Sequence, residues 1–255
     1  MAENGYNPGR MVRTEAIGKE FIDAKRGVIR AVRDVTIHAE PGRIFGLLGV
    51  NGAGKTTLLR MLSTVLQPTH GRATVAGYDV VGQSEQVRAS IGFLSTSTAL
   101  YGREVLQYFG GLYGLEGKVL QDRLDFVIEK LRLQEFVDRL CDKLSTGQKQ
   151  RVSIARAILH DPPVLFFDEP TAGLDVVTAQ TIMEFIEECR EREKTVVFST
   201  HIMSEAERLC DHIAVIHAGE IRGEGTVESL MNQVGETTLE RAFLKLVDYR
   251  PEEVV

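Results

Sequence analysis

Short continuous apolar runs punctuate the chain, and between them apolar residues recur every three or four positions. The runs Ile44-Phe45-Gly46-Leu47-Leu48, Ile91-Gly92-Phe93-Leu94, Val164-Leu165-Phe166-Phe167, Thr195-Val196-Val197-Phe198 and Ile213-Ala214-Val215-Ile216 are too short for helices and predict buried strands. Helical spacing joins Leu58, Leu59, Met61, Leu62, Val65 and Leu66, on a helix predicted to stop before Pro68. It also joins Leu124, Val127, Ile128 and Leu131, with Phe136, Val137 and Leu140 continuing the pattern. A further helix covers Gly147 to His160 and is ended by Asp161-Pro162-Pro163. Ile182, Phe185, Ile186 and Cys189 mark one more, and residues 239–246 read as a short amphipathic helix.

Residues 11–48 alternate in places, with Val28-Ile29 and Val35-Thr36-Ile37 strand-like and Pro41-Gly42 a turn. They predict an antiparallel sheet that leads into the strand at 44–48. Ala73-Thr74-Val75 before Ala76-Gly77 predicts another strand and turn, and Ala218-Gly219 closes a final hairpin. Residues 104–145 read as mostly helical and interrupt the alternation of strands and helices. The expected fold is therefore α/β: a mainly parallel sheet covered on both faces, an antiparallel β subdomain before it, and a helical insertion over about 96–160. Ligands of such sheets collect at the carboxyl ends of the strands, where Gly49, Asp168 and His201 fall.

Composition narrows this little. The chain has 255 residues, of which 43% are hydrophobic and 26% charged, as in ordinary globular proteins. A formal net charge of −6 lacks the basic footprint of a nucleic-acid binder. Cys141, Cys189 and Cys210 are scattered without metal or disulfide spacing and read as buried free thiols. Met1-Ala2-Glu3-Asn4-Gly5 has no apolar signal core. No stretch approaches the ~18 apolar residues of a membrane span, so the expectation is a cytoplasmic protein.

The chemistry begins at Gly49-Val50-Asn51-Gly52-Ala53-Gly54-Lys55-Thr56-Thr57, set between a predicted strand and a predicted helix. That context makes Gly-x-x-x-x-Gly-Lys-Thr a phosphate-binding loop, with a helix N-terminus behind it. Glycines let N–H groups converge on phosphate. Lys55 reaches the β- and γ-phosphates, and the Thr56 hydroxyl ligates Mg²⁺. At the end of the 164–167 strand, Asp168 is placed to hold Mg²⁺ through its water shell, and Glu169 is the natural base for an attacking water. Leu144-Ser145-Thr146-Gly147-Gln148 precedes a helix, and taken alone Ser145 is its N-cap.

In order and spacing these segments resemble the ATPases of the ABC family, over about residues 12–230. Ser145, Gly147 and Gln148 match its signature, with Thr146 in place of a glycine. Gly173-Leu174-Asp175 matches its Asp-loop and His201 its switch histidine, while Phe21 sits where the family places an aromatic that stacks on adenine. The resemblance implies an ATPase with a P-loop NTPase core spanning 1–235, a short tail at 236–255, and ATP and Mg²⁺ bound. The signature of one chain would meet the γ-phosphate held by another, so a homodimer or paired ATPase subunit is implied. It also implies an integral membrane permease as partner, contacted through the helical insertion and the loop around 95–103, and a place on the inner face of the cell membrane. One departure concerns the glutamine expected shortly after the 91–94 strand, where Ser95 and Thr96 stand instead. That feature, Thr146 and the short length resemble the ATPase subunits of sodium-export-type and related ABC-2 exporters. The other readings are a soluble ABC ATPase serving a non-transport assembly, and a GTPase or small-molecule kinase, for which the Asn-Lys-x-Asp guanine motif is missing. His38, His70, His160, His212 and His217 carry no assigned chemistry.

Overall fold

The computed structural model describes residues 11–25, 27–93 and 102–248. Two sheets organise them. The first is antiparallel and runs β2 (Gly27–Val35), β1 (Val12–Asp23), β5 (His70–Val75), β6 (Tyr78–Asp79), with β3 (His38–Ala39) paired to β1. The second has the order β11 (Glu220–Gly225), β10 (His212–His217), β4 (Ile44–Leu48), β9 (Thr195–Thr200), β8 (Val164–Asp168), β7 (Ile91–Phe93). All its pairings are parallel except β10 with β11.

The parallel strands are buried on both faces because successive residues feed different cores. Ile44, Leu165, Phe167, Val196 and Phe198 join the core under the helices α3 (Gly102–Leu112), α4 (Gly117–Lys130), α5 (Thr146–Ile158) and α6 (Val176–Glu191). Their neighbours Phe45, Leu47, Val164, Phe166 and Val197 pack instead with α1 (Lys55–Leu62), α2 (Ser84–Ser90) and the antiparallel sheet. A smaller third core gathers Leu48, Ile213 and Val215 with α7 (Met203–Leu209), α8 (Val227–Val234) and α9 (Leu239–Leu246). Leu239 and Phe243 of α9 are buried there, and Ala242 is buried beside them, so α9 packs onto this core rather than standing free.

Two helical expectations fail. The first helix ends at Leu62, because Thr64 adopts φ 63° and the Leu66 N–H closes back on the Arg60 carbonyl. Val65, counted on its apolar face, is 63% exposed. Phe136, Val137 and Leu140 do not continue α4. Arg132 at φ 50° ends it, and the following turns give the carbonyls of Val137 and Arg139 to the N–H groups of Arg103 and Gly102. Phe136 and Val137 still reach the core from those turns, so the apolar spacing reported burial rather than helix. The helices α2, α7 and α8 have no counterpart in the sequence reading. Ser95 and Thr96 lie outside the described residues, as does most of the 95–103 loop.

Candidate functional site

Strands β4, β9 and β8 are consecutive in the sheet, so the segments after Leu48, Thr200 and Asp168 emerge side by side at its carboxyl edge. The Gly49 N–H donates to the Thr200 carbonyl at 3.2 Å, tying the glycine loop to β9. Gly54 stands at φ 110°, and a Cβ there would lie 2.5 Å from the Ala31 carbonyl oxygen. Glycine is required on both counts, conformation and space. On the outer side of this loop, residues 51–57, Ala31 and Glu169 enclose a cavity of about 160 Å³. Helix α1 begins at its wall with no acidic residue in the first turn, which leaves a positive helix end facing it.

Lys55 is 4% exposed and its ammonium has three donors. The Gly49 carbonyl at 2.7 Å, the Val50 carbonyl at 3.1 Å and Glu169 Oε1 at 2.9 Å take them up. The other Glu169 oxygen, Oε2, lies 3.2 Å from His201 Nδ1. One carboxylate thus joins the turns that follow β4, β8 and β9. Its own residue is held at φ 46° by the Glu169 N–H donating to both the carbonyl and the hydroxyl of Ser199. The Ser199 hydroxyl in turn donates to Asp168 Oδ1 at 2.6 Å. Fully buried Ser199 therefore holds the Asp168 side chain and the Glu169 backbone together, and no sequence motif marks it. Asp168 and the exposed Thr56 hydroxyl present hard oxygens of the kind Mg²⁺ accepts. No cluster of three or more metal-binding side chains occurs among the described residues.

The other sequence candidates lie elsewhere. Ser145, Gly147, Gln148, Asp175 and Phe21 are not among the residues that line the cavity. Ser145 caps α5 in a reciprocal box: its hydroxyl accepts from the Gln148 N–H at 3.3 Å, and Gln148 Oε1 accepts from the Ser145 N–H at 3.0 Å. Asp175 caps α6, accepting from the Thr178 N–H at 3.0 Å and the Thr178 hydroxyl at 2.7 Å. Those two bonds hold its carboxyl below the usual carboxylate range. A Cβ on Gly147 would meet the Thr178 methyl at 3.0 Å, so the two capped helix ends abut. Phe21 sits on β1 opposite Ile29 of β2, 40% exposed, with the Lys19 ammonium 5.4 Å from its ring centroid. Cys189 is buried deeply enough to push its thiol up to about 12, and Cys141 and Cys189 are free and buried as expected. Cys210 is free but only partly buried.

A profile of the family described as "ABC transporter" matches residues 32–172. The chain is 41% identical over 243 residues to the ABC transporter ATP-binding protein NatA of Bacillus subtilis (strain 168), covering 93% of this chain and 98% of that protein. It is 37% identical over 236 residues to the daunorubicin resistance ATP-binding protein DrrA2 of Streptomyces coeruleorubidus, covering 91% and 72% respectively. Among solved structures, an ATP-binding subunit of an ABC transporter superposes with a TM-score of 0.83 at 26% identity, over 92% of this chain and 99% of that one. A dimeric post-hydrolysis ATP-binding cassette bound to ADP and Pi gives 0.78 at 26% identity, over 85% and 98%.

Proposed function

From the premise that the chain belongs to the ABC transporter ATP-binding family, we propose that it hydrolyses ATP at the carboxyl edge of β4, β9 and β8. It is an ATPase that powers export through a separate membrane partner. No helix among the described residues is long and apolar enough to cross a membrane. A relative of Cupriavidus metallidurans named Nod factor export ATP-binding protein I, 37% identical over 205 residues, supports export as the direction, and the resemblance to sodium-export-type ATPases makes Na⁺ the candidate cargo. Contact with an integral membrane permease on the inner face of the membrane belongs to the same reading.

The observation that carries the chemistry is Glu169, held between Lys55 and His201 beside the phosphate-loop cavity. Every donor of Lys55 is already engaged, so a triphosphate entering the loop must take the ammonium from Glu169 or from a loop carbonyl. Release of Oε1 leaves a carboxylate oriented by His201 through Oε2, free to accept the proton of an attacking water. Bound Mg²⁺, held by Thr56 and Asp168, would neutralise charge on the phosphates. Phe21 supplies an exposed aromatic side for adenine. Ser145, Gly147, Gln148 and Asp175 complete the site from a second copy, and the dimeric cassette structure supports that pairing.

The test is hydrolysis by purified protein with Mg-ATP. Lys55→Ala should lose nucleotide binding and hydrolysis together. Glu169→Gln should bind ATP as the wild type does yet hydrolyse it about 10²–10⁴-fold more slowly, the usual contribution of a positioned base. Hydrolysis by Glu169→Gln at the wild-type rate would remove Glu169 from the mechanism.

A further inference from the structure

Glu205 is only 6% exposed, although it lies in the polar stretch Met203-Ser204-Glu205-Ala206-Glu207-Arg208. A buried carboxyl group needs partners. Both of its partners are hydroxyls, one from the turn after β8 and one from the last residue of β9. Oε1 accepts from Thr171 at 2.6 Å, two residues beyond Glu169, and Oε2 accepts from Thr200 at 2.7 Å, immediately before His201. Thr171 and Thr200 are themselves 6% and 2% exposed, so water does not compete at this bridge. The Thr200 oxygen also accepts from the Ile202 N–H at 3.0 Å, fixing the backbone on the far side of His201.

The β8–β9 ladder ends at Asp168 opposite Ser199, so Glu169 and His201 both lie past the sheet's last pairing in this register. On the Glu169 side, the Pro170 carbonyl accepts from Gln150 of α5 at 2.9 Å, which pins that turn from above. Glu205 reaches from α7 across to both segments. We propose that Glu205 is a positioning residue for hydrolysis: through Thr171 and Thr200 it fixes the distance between the Glu169 carboxylate and His201. The inference rests on the roles given to Glu169 and His201 above. It adds a side chain that touches neither nucleotide nor water.

A loosened base is expected to cost rate rather than affinity, because displacement of a reacting group by about 1 Å can lower turnover on the order of 10²-fold. Glutamine keeps the bridge: its carbonyl accepts from Thr200, whose hydrogen has no other acceptor, and its NH₂ donates to the rotatable Thr171 hydroxyl. The experiment measures kcat and KM for Mg-ATP, and ADP affinity, in the full chain for Glu205→Gln, Glu205→Ala and Thr171→Val, with Glu169→Gln alongside. Glu205→Ala should fall roughly 10- to 100-fold in kcat with ADP affinity within about twofold of wild type. Glu205→Gln should recover to within about threefold of wild type, and Thr171→Val should fall between the two. Wild-type kcat in a Glu205→Ala protein that binds ADP overturns the proposal, as does a deficit that Glu205→Gln fails to recover. Should Glu205→Ala not fold, wild-type kcat in the near-isosteric Thr171→Val overturns it equally. If Glu169→Gln itself hydrolyses normally, the fault lies in the assignment of the base, whereas a crippled Glu169→Gln beside an active Glu205→Ala rejects this inference alone.

Discussion

His160 shows how burial can make one residue sensitive to pH. Its ring stacks on Tyr113 with centroids 3.6 Å apart and planes 7° from parallel. Nε2 donates to the Ile91 carbonyl at 3.1 Å, and Nδ1 is buried without a partner. Desolvation outweighs the hydrogen bond to Ile91, and with Arg123 and Lys194 nearby lowers the imidazole to about 4. The unfolded chain would protonate near the ordinary histidine value of about 6.5 while the folded protein stays neutral. Between those values the unfolded state binds the extra proton, so stability is present above the unfolded value and is lost as pH falls toward the folded one. After a discount for the ring's residual solvent contact, the loss is about 2 kcal/mol. Urea titrations at neutral pH and near pH 4.5 check this. The wild type should lose more stability than His160→Gln, whose amide can still donate to Ile91, and equal losses would show that His160 does not set the slope.

The phosphate loop was legible at the scale of elements because its run of glycines, lysine and threonine is local and has to sit between a strand and a helix. Asp168 and Glu169 were legible because a fully apolar strand ends on them. Contacts that join distant turns leave no such trace. Glu205 and Glu207 look alike in sequence, yet only Glu205 crosses to Thr171 and Thr200. Likewise the turns at 131–140 borrow helical spacing while giving their carbonyls to α3. The start of α5 carries a second ambiguity, since Ser145 caps the helix whatever else it does. Substitution separates the two roles. Ser145→Ala should cost roughly 1 kcal/mol in urea unfolding, as the loss of a cap does. Ser145→Asp should restore that stability, because aspartate caps as well as serine, but not ATP hydrolysis, because its charge would face a triphosphate. Full recovery of both by aspartate would reduce Ser145 to a cap.

At the scale of the molecule, one chain presents half of the proposed chemistry at each of two places. The cavity at residues 51–57 is closed by Ala31 and Glu169, while Ser145 is exposed and Gly147 and Gln148 are half-buried beyond that lining. Beside them, Val176 and Val177 at the start of α6 are 85% and 73% exposed, an apolar pair next to Asp175. A two-fold pairing would place each signature segment over the other copy's phosphate loop and could cover those valines in the same step. Complementation tests this directly. A Lys55→Ala chain retains an intact Ser145 segment, and a Ser145→Asp chain retains an intact phosphate loop, so neither homodimer has a complete site. A mixed dimer contains one. Random mixing in equal amounts should therefore restore about a quarter of the wild-type number of sites, half of the dimers carrying one complete site of two. The steady-state rate at saturating Mg-ATP, compared with wild type at equal total protein, counts them, with differently tagged chains confirming that mixed dimers formed. Captured mixed dimers that hydrolyse no faster than either parent would mean that Ser145 does not act on a nucleotide held by another copy.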